Sequence, residues 1–363
     1  MKFLIFNPFG VGDVLFTTPL IRNIKENFPR AKIFYICNKR VYPLLSRNIF
    51  LEKVYVFEKD DYRRLIKKSK IAFLKKVFSF FKRIRKESFE VMFDLSLNSQ
   101  YSLFFKLCGI KKRVGFNYRN RGRFLNCKEE LPFGYKDKHV ADYYLQLVKF
   151  VGIKPKRVRF DLFLREEDIQ RANNILKKLN LHKEEILVGI CPGAGDSWGE
   201  SAYFKRWPKE YFSTLCNLII EELGAKVIIF GSESETNIAR YIVENTKNRV
   251  IDLCGKIDLV EFSALVKMCT LFVTNDGGPF HISYSLGVKT VVFFGPVDET
   301  VYGAYPDNRD VVILKKDLSC RPCYQKFKFP GCKYDKKCLR DITVEEVFKV
   351  VRRFLEDRKK GIE

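Results

Sequence analysis

The sequence predicts an α/β fold in which two doubly wound, parallel-sheet lobes face each other across a cleft. Short apolar runs alternate with amphipathic stretches along the whole chain, and this alternation is typical of parallel strands joined by helices. The alternation forms two successive series, and 363 residues are enough for two domains. The composition, 46% hydrophobic and 15% aromatic, can supply a substantial core to each lobe.

Nine apolar runs are predicted to be buried strands, and the stretches between them carry apolar residues at helical spacing. We expect the lobes to cover residues 1–165 and 166–340, and residues 341–363 to form a C-terminal helix that returns to the N-terminal lobe. The predicted strands are Lys2–Asn7, Ala31–Cys37, Lys53–Phe57, Val91–Leu95, Ile186–Cys191, Lys226–Phe230, Arg249–Leu253, Leu271–Thr274 and Thr290–Phe294. The predicted helices include Thr18–Phe28, Glu166–Leu179, Pro208–Leu223 and Glu261–Cys269.

The net charge of +24 is concentrated in the first lobe. Residues 1–165 hold 37 Lys and Arg against 14 Asp and Glu, whereas the rest of the chain holds 30 against 29. This asymmetry predicts that the first lobe meets a polyanion, which could be nucleic acid, an anionic membrane surface or a phosphorylated substrate. No apolar run approaches the roughly 20 residues that cross a bilayer, so we expect a cytoplasmic protein.

Residues 63–86 hold eleven Lys and Arg and no acid, which predicts a basic amphipathic helix. Such a helix suits the anionic surface of the inner membrane, although an ordinary domain helix with a solvated face has the same pattern. Its apolar residues at helical spacing are Ile66, Phe73, Val77, Phe80, Phe81 and Ile84.

Three turns follow predicted strands, at the sheet edge where doubly wound folds bind ligands. The first, Phe9–Asp13, places Gly10 and Gly12 before a helix, where bare backbone N–H groups favour an anion. The third glycine of the dinucleotide fingerprint is missing, which disfavours a nucleotide-dependent oxidoreductase. Asp13 could cap its helix, or its carboxylate could act as a general base on a sugar hydroxyl.

The other two turns are predicted to hold phosphate. Small residues at Pro192–Gly195 can expose backbone N–H groups, and Lys205 can add a cation beyond them. The turn Asn275–His281 carries two glycines and a proline at a helix start, which favours an anion there. His281 lies in the first turn of that helix, and we interpret the other two histidines as exposed. A surface turn with a solvated lysine, or a tight turn with a buried histidine, would look the same.

Two further features follow predicted strands of the second lobe. Glu233 comes directly after a strand and could accept hydrogen bonds from ribose hydroxyls, although an exposed loop acid would look the same. Four cysteines lie within nineteen residues, and their spacing could hold a structural zinc ion, form disulfides or leave free thiols. These cysteines are Cys320, Cys323, Cys332 and Cys338.

Taken together, these motifs resemble the heptosyltransferases of glycosyltransferase family 9. The first signature is Gly12-Asp13-Val14-Leu15-Phe16-Thr17-Thr18-Pro19-Leu20. The second is Pro192-Gly193-Ala194 with Lys205-Arg206-Trp207-Pro208, and the third is Asn275-Asp276-Gly277-Gly278-Pro279-Phe280-His281 with Phe294-Gly295-Pro296. Two departures stand out: Gly277 replaces a Thr or Ser that the family often has, and residues 196–204 form a long insertion before Lys205.

The resemblance implies the GT-B fold of two Rossmann-like lobes, an inverting transfer of heptose from ADP-heptose, and a lipid-linked, phosphorylated lipopolysaccharide-core acceptor. It implies that Asp13 is the general base. We expect Gly10 and Gly12 on the acceptor and phosphate side. Backbone N–H groups at Gly277–Gly278, with Lys205, would stabilise the leaving diphosphate and remove the need for a catalytic metal. A basic nucleic-acid-binding protein and an inactive nucleotide-sugar-binding protein remain alternatives, although no nucleic-acid module is visible. The implied donor-binding residues are Gly193, Ala194, Lys205, Glu233, Ile257, Asp276, Gly277, Gly278 and His281.

Overall fold

A parallel six-stranded sheet with helices on its faces forms the centre of each half of the chain. The computed structural model describes residues 1–182, 184–307 and 309–360. Its two compact units are Met1–Phe163 and Leu164–Glu363, so the boundary falls inside the predicted stretch Phe160–Glu166. Two parallel sheets with covering helices are the α/β architecture that the alternating pattern predicted.

The four strands predicted for the first unit all form, and two more extend the sheet. The order in the sheet is β3-β2-β1-β4-β5-β6, with every neighbouring pair parallel. The two strands that the sequence pattern missed, β5 and β6, carry several Lys, Arg and Glu residues, because strands near a sheet edge tolerate polar side chains. The strands are β1 (Lys2–Phe6), β2 (Lys32–Cys37), β3 (Leu51–Val56), β4 (Val91–Asp94), β5 (Lys112–Asn117) and β6 (Cys127–Glu130).

The basic segment of the first unit forms two helices, not the single helix that its pattern predicted. Ser69 has an extended backbone that ends the first helix, and its hydroxyl accepts a hydrogen bond from the Ala72 N–H at 3.2 Å, which caps the second. The helices of this unit are α1 (Val11–Leu15), α2 (Thr18–Asn27), α3 (Tyr42–Leu45), α4 (Lys59–Lys68), α5 (Lys70–Lys86), α6 (Ser99–Leu107) and α7 (Val140–Gln146), followed by a 3₁₀ turn at Leu147–Val151.

The five strands predicted for the second unit also form, and with a sixth strand the sheet order is β12-β11-β10-β7-β8-β9. The missed strand β12 lies at the sheet edge and pairs only with β11 among the described strands. The strands are β7 (Leu187–Cys191), β8 (Lys226–Ile229), β9 (Ile251–Asp252), β10 (Leu271–Asn275), β11 (Thr290–Phe293) and β12 (Val311–Leu314).

The last helix packs within the second unit, whereas the sequence predicted that it returns to the N-terminal lobe. Val347, Val351 and Leu355 are buried on one stripe of this helix, in the core that also holds α9 and the second sheet. The helices are α8 (Glu166–Lys178), α9 (Lys209–Leu223), α10 (Thr236–Glu244), α11 (Leu259–Met268), α12 (Gly278–Ser285), α13 (Glu299–Tyr302), α14 (Lys337–Arg340) and α15 (Val344–Lys360), with 3₁₀ segments at Asp196–Lys205 and Glu233–Glu235.

Each sheet reverses its strand order at one point, and the predicted turns lie there. In the first sheet the order reverses between β1 and β4, and in the second between β7 and β10. The carboxyl edge beside such a reversal is where doubly wound folds bind ligands. Among the described residues, every helix is too short or too polar to cross a lipid bilayer.

Candidate functional site

Asn275, the last residue of β10, ties three predicted donor motifs of the second unit together. Its side-chain amide donates to the carbonyls of Pro192 and Gly193 at 2.8 and 2.9 Å, and its side-chain oxygen accepts from the Trp207 N–H at 2.8 Å. The Trp207 ring is buried, stacks on Phe293 at 4.6 Å and donates its indole N–H to a backbone carbonyl. The motifs that lie far apart in sequence therefore meet at the carboxyl edge of the second sheet.

Glu235 holds the turn after β7, and sequence reasoning did not single it out. Its buried carboxylate accepts hydrogen bonds at 2.9 Å from the N–H groups of Ala194 and Gly195, and Arg206 lies 3.8 Å away. A side chain at Gly193 would lie 1.9 Å from this carboxylate, so only glycine fits. The two N–H groups expected to face a phosphate are thus bonded to Glu235, and the turn is preorganised by a carboxylate.

Lys205 and Asp276 form a buried ion pair at this edge. The lysine Nζ lies 2.7 Å from Asp276 Oδ2 and 4.9 Å from the centre of the Trp198 ring, and both charged side chains are 7% exposed. The long insertion before Lys205 is a 3₁₀ segment, interrupted at Gly199, that ends at this lysine. It places Lys205 beside the turn after β10. The structure therefore brings together two predicted donor residues that are about 70 positions apart in the chain.

The N-terminus of α12 lies beside the same ion pair. Gly277 precedes the helix and Gly278 begins it, and a side chain at Gly277 would lie 3.3 Å from the Ala194 carbonyl. His281 is buried in the first turn, with its ring 4.8 Å from that of Phe280. This arrangement directs helix N–H groups and a cation to one place, which favours a diphosphate.

Glu233 and Ile257 lie on neighbouring loops that follow β8 and β9. The loops are joined by the Gly255 N–H, which donates to the Gly231 carbonyl at 3.0 Å. Glu233 is exposed and Ile257 is half-buried, so both can meet a ligand. Asp258 caps α11 through the Val260 and Glu261 N–H groups, which gives this acid a structural role.

Asp13 lies in the first turn of α1, after the turn that follows β1. Gly10 is the N-cap residue of this helix, and Asp13 is the acid of its first turn. The Asn7 amide donates to the Asp13 backbone carbonyl at 3.1 Å and holds the turn. Burial raises the pKa of Tyr35 well above its usual value, and the negative charge of Asp13 adds to that rise. The half-buried carboxylate and Gly12 stand at the ligand-binding edge of the first sheet.

Asp94 is a second carboxylate at this edge that sequence reasoning missed. It ends β4, the neighbour of β1 across the order reversal. Burial raises its pKa to about 6, although the Ser96 N–H and hydroxyl both donate to it, at 3.0 and 2.5 Å. The sequence pattern that could have identified Asp94 is an acid at the end of an apolar strand.

The other residues for which the sequence made a prediction are two histidines and the four late cysteines. His139 is buried and its Nδ1 accepts from the Ala141 N–H at 3.0 Å, so the expectation that it is exposed was wrong, whereas His182 is exposed. The four late cysteines are free thiols, and burial raises the pKa of Cys323 and brings the pKa of Cys338 to about 11. The described residues contain no group of three or more His, Cys, Asp or Glu placed to hold a metal. Structural zinc stays a prediction, and metal analysis of the purified protein tests it.

Two solved glycosyltransferase structures share this fold with the chain. A glycosyltransferase family 9 structure from Veillonella parvula matches with a TM-score of 0.81 and 21% identity, over 98% of this chain and 97% of that one. The ADP-heptose lipopolysaccharide heptosyltransferase II of Escherichia coli matches with a TM-score of 0.76 and 21% identity, over 99% and 100% of the two chains. The fold is therefore the two-lobed GT-B fold of sugar-nucleotide glycosyltransferases.

The chain belongs to glycosyltransferase family 9, the heptosyltransferase family, whose model matches residues 77–333. Lipooligosaccharide heptosyltransferase 2 of Campylobacter jejuni is 25% identical over 362 residues, which cover 98% of this chain and 99% of the relative. The predicted family and the predicted enzyme class, a glycosyltransferase of lipopolysaccharide biosynthesis, are confirmed. The oxidoreductase and nucleic-acid-binding alternatives lose their support.

Proposed function

We propose that this protein transfers heptose from ADP-heptose to a lipopolysaccharide inner-core-type acceptor, with inversion at the anomeric carbon. The observation that carries the proposal is the buried Lys205–Asp276 pair at the N-terminus of α12. A desolvated cation beside helix N–H groups suits a sugar diphosphate better than a neutral ligand. The Escherichia coli relative with the same fold is named for ADP-heptose and lipopolysaccharide, which supports this donor and acceptor class.

The second unit would hold the donor. Lys205 would share its charge between Asp276 and the leaving diphosphate, while backbone N–H groups at Gly277 and Gly278 bind the phosphate oxygens. His281 would contact the donor sugar or its diphosphate. These groups stabilise the negative charge that develops on ADP, so the mechanism requires no catalytic metal.

The nucleoside would lie on the loops after β8 and β9. Glu233 would accept hydrogen bonds from ribose hydroxyls, and Ile257 would supply apolar contact. Gly193 and Ala194 would contact the donor through the shape of their turn. The Ala194 N–H would not bind the donor, because it already donates to Glu235. The turn then needs no rearrangement when the donor binds.

The first unit would hold the acceptor, with Gly10 and Gly12 on its phosphate side and Asp13 as the base. In a single displacement, the acceptor hydroxyl oxygen forms a bond to the anomeric carbon as the bond to ADP breaks. The hydroxyl proton passes to the Asp13 carboxylate, and the electron pair of the broken bond leaves with ADP. Inversion follows from attack opposite the leaving group.

Product analysis with ADP-heptose and a lipopolysaccharide-core acceptor tests the proposal, with Asp13→Ala as the key variant. We expect Asp13→Ala to lose transfer by 10²-fold or more, since a positioned base contributes about 10²–10⁴-fold. Thermal stabilisation by ADP-type donors should survive in this variant, because its change lies outside the donor site. Unchanged activity in Asp13→Ala would refute the base assignment.

Wild-type protein that binds ADP-type donors but makes no product would favour the alternative of an inactive nucleotide-sugar-binding protein. Lys205→Ala supplies the matched comparison, because we expect it to weaken donor binding itself. Stereochemical analysis of the product tests inversion separately. Retention at the anomeric carbon would contradict the single displacement.

The acceptor's lipid would bring the protein to the inner face of the cytoplasmic membrane, through residues 63–86. Large apolar side chains of α4 and α5 point to solvent, with Ile71 70% and Phe78 66% exposed. Lys75, Lys76 and Lys82 surround them on the exposed surface of α5. An exposed apolar stripe within a basic surface is the pattern of helices that lie on anionic membranes.

A further inference from the structure

An aromatic cavity lies beneath the α4–α5 hairpin, on the opposite side of α5 from its exposed apolar stripe. Its volume is about 190 Å³, and its lining is almost entirely apolar. An apolar cavity of roughly 150 Å³ is already large enough to bind benzene. The lining residues are Phe6, Phe57, Tyr62, Phe73, Val77, Phe80, Gln100, Tyr101, Phe104 and Phe105.

The cavity lies at the carboxyl edge of the first sheet, the edge where doubly wound folds bind ligands. Phe6 is the last residue of β1 and Phe57 follows the end of β3, so both mark the carboxyl edge. The turn that carries Asp13 leaves the same edge directly after β1. Most lining side chains of α4 and α5 are only half-buried, although an ordinary core would enclose them fully.

A lysine lies beside Tyr62, one of the two tyrosines that line the cavity. Lys76 Nζ lies 4.8 Å from the centre of the Tyr62 ring and 3.8 Å from Asp61 Oδ2. Arg63, which follows Tyr62 on α4, is a further exposed cation of the same hairpin, and its guanidinium lies 3.4 Å from Asp60 Oδ1. An apolar interior with a cation beside it complements a molecule with an apolar tail and an anionic head.

We propose that this cavity binds one acyl chain of an anionic membrane phospholipid, with Lys76 on its phosphate. The inference rests on the proposed function, since it names how the basic hairpin engages the membrane. The outer stripe of α5, with Ile71, Leu74 and Phe78, lies on the lipid surface. The inner face, with Phe73, Val77 and Phe80, takes one chain out of that surface. The α4–α5 hairpin would then contact lipid on both the outer and the inner face of α5.

The first test measures binding of monomeric lysophosphatidylglycerol, a single-chain anionic lipid, to the full chain by calorimetry. Val77→Trp fills the cavity, and Phe78→Trp places the same bulk one residue along on the exposed face. We expect Val77→Trp to weaken binding at least tenfold and Phe78→Trp to stay within twofold of wild type. Equal binding by all three proteins would overturn the proposal.

A fluorescence measurement keeps the proposal testable if Val77→Trp fails to fold. The native tryptophans, Trp198 and Trp207, both lie in the second unit, so a new tryptophan can report on the cavity. Monomeric lysolipid brominated on its acyl chain should quench Tyr62→Trp strongly and Phe78→Trp weakly. Similar quenching of both variants would show that the chain lies on the surface only and would refute the cavity site.

A separate variant tests whether Lys76 contacts the lipid phosphate. Lys76→Gln should reduce the preference for anionic over zwitterionic lysolipid by several-fold, while Lys82→Gln, farther along the exposed face, should leave it nearly unchanged. An unchanged preference in Lys76→Gln would contradict the assignment of this lysine to the phosphate.

Transfer to an acceptor without acyl chains should survive in Val77→Trp. If wild type makes no product from that acceptor, the proposed function fails while the lipid result still stands.

Discussion

At the scale of single residues, Glu233 and Glu235 show how two acids of one short segment take different roles. Glu235 points inward and accepts hydrogen bonds from the turn after β7, whereas Glu233 is exposed. A buried carboxylate that binds several N–H groups is a positioning group, because its removal leaves donors unsatisfied.

We predict that Glu235→Gln lowers both stability and donor affinity. The carboxylate accepts from the Ala194, Gly195 and Ser232 N–H groups and from the Ser232 hydroxyl. A neutral amide cannot replace all four contacts, so we expect a loss of about 1–3 kcal/mol in the free energy of unfolding. Glu233→Gln is the matched control, and its stability should change by less than about 0.5 kcal/mol, although its donor affinity falls. Urea unfolding and donor titration measure the two quantities. Wild-type stability in Glu235→Gln would contradict the role of this carboxylate.

The raised pKa of Asp94 predicts a pH-dependent stability. Its pKa of about 6 lies above the ordinary 3.8, so the folded chain binds this proton more tightly than the unfolded chain. The stabilisation by the protonated form is complete below pH 3.8 and is lost as the pH rises to about 6. The burial of the charged form therefore costs stability at neutral pH.

Asp94→Asn removes that charge and can still accept from Ser96. Relative to wild type, we expect its free energy of unfolding to gain little at pH 4 and up to about 3 kcal/mol at pH 7.5. Denaturant unfolding across this range measures the difference. Asp137→Asn, whose side chain is 80% exposed, serves as the control and should follow wild type. A gain for Asp94→Asn that does not change with pH would contradict the assignment.

At the scale of secondary-structure elements, the hairpin of α4 and α5 depends on one capping residue. Ser69 ends α4 and caps α5, and this break turns one amphipathic segment into two helices that can enclose a cavity. We expect Ser69→Ala to destabilise the start of α5 by about 1 kcal/mol. Hydrogen exchange of the α5 amides checks this, and Ser79→Ala, on an exposed site of the same helix, should leave exchange nearly unchanged. Equal exchange in both variants would argue against the cap.

At the scale of the whole molecule, charge is distributed unequally between the two units. The excess of Lys and Arg lies almost entirely in residues 1–165, which carry the proposed acceptor and membrane surface. The second unit is close to neutral, although it would bind an anionic donor. The proposed donor recognition there would depend on a few buried groups and not on overall charge.

We predict that binding to vesicles containing phosphatidylglycerol weakens steeply with added salt, since salt screens exposed charges within about 10 Å at 0.1 M. Flotation at low and high salt, with phosphatidylcholine vesicles as the control, measures this dependence. Binding that is equally strong to neutral vesicles would contradict the electrostatic part of the proposal. Tighter binding to DNA or RNA than to vesicles would revive the nucleic-acid alternative.

The sequence by itself determined the fold class and where the candidate ligand-binding turns lie. Apolar runs identify buried parallel strands because both faces of such strands meet helices, and nine of these runs formed strands close to their predicted bounds. The polar strands β5 and β6 escaped detection for the same reason, because they lack a continuous apolar run. Glycine and proline after a strand marked the turns at residues 192–195 and 275–281 through their backbone requirements.

Only the tertiary structure decided which side chains meet at those turns. Lys205 reaches Asp276, Glu235 rather than Glu233 binds the turn after β7, and α15 packs within the second unit. A sequence lists which groups can form an ion pair or a hydrogen bond, but a contact between residues about 40 or 70 positions apart depends on strand order in the sheet. That order is set by packing across the whole unit, and the proposed donor site is therefore a product of the fold.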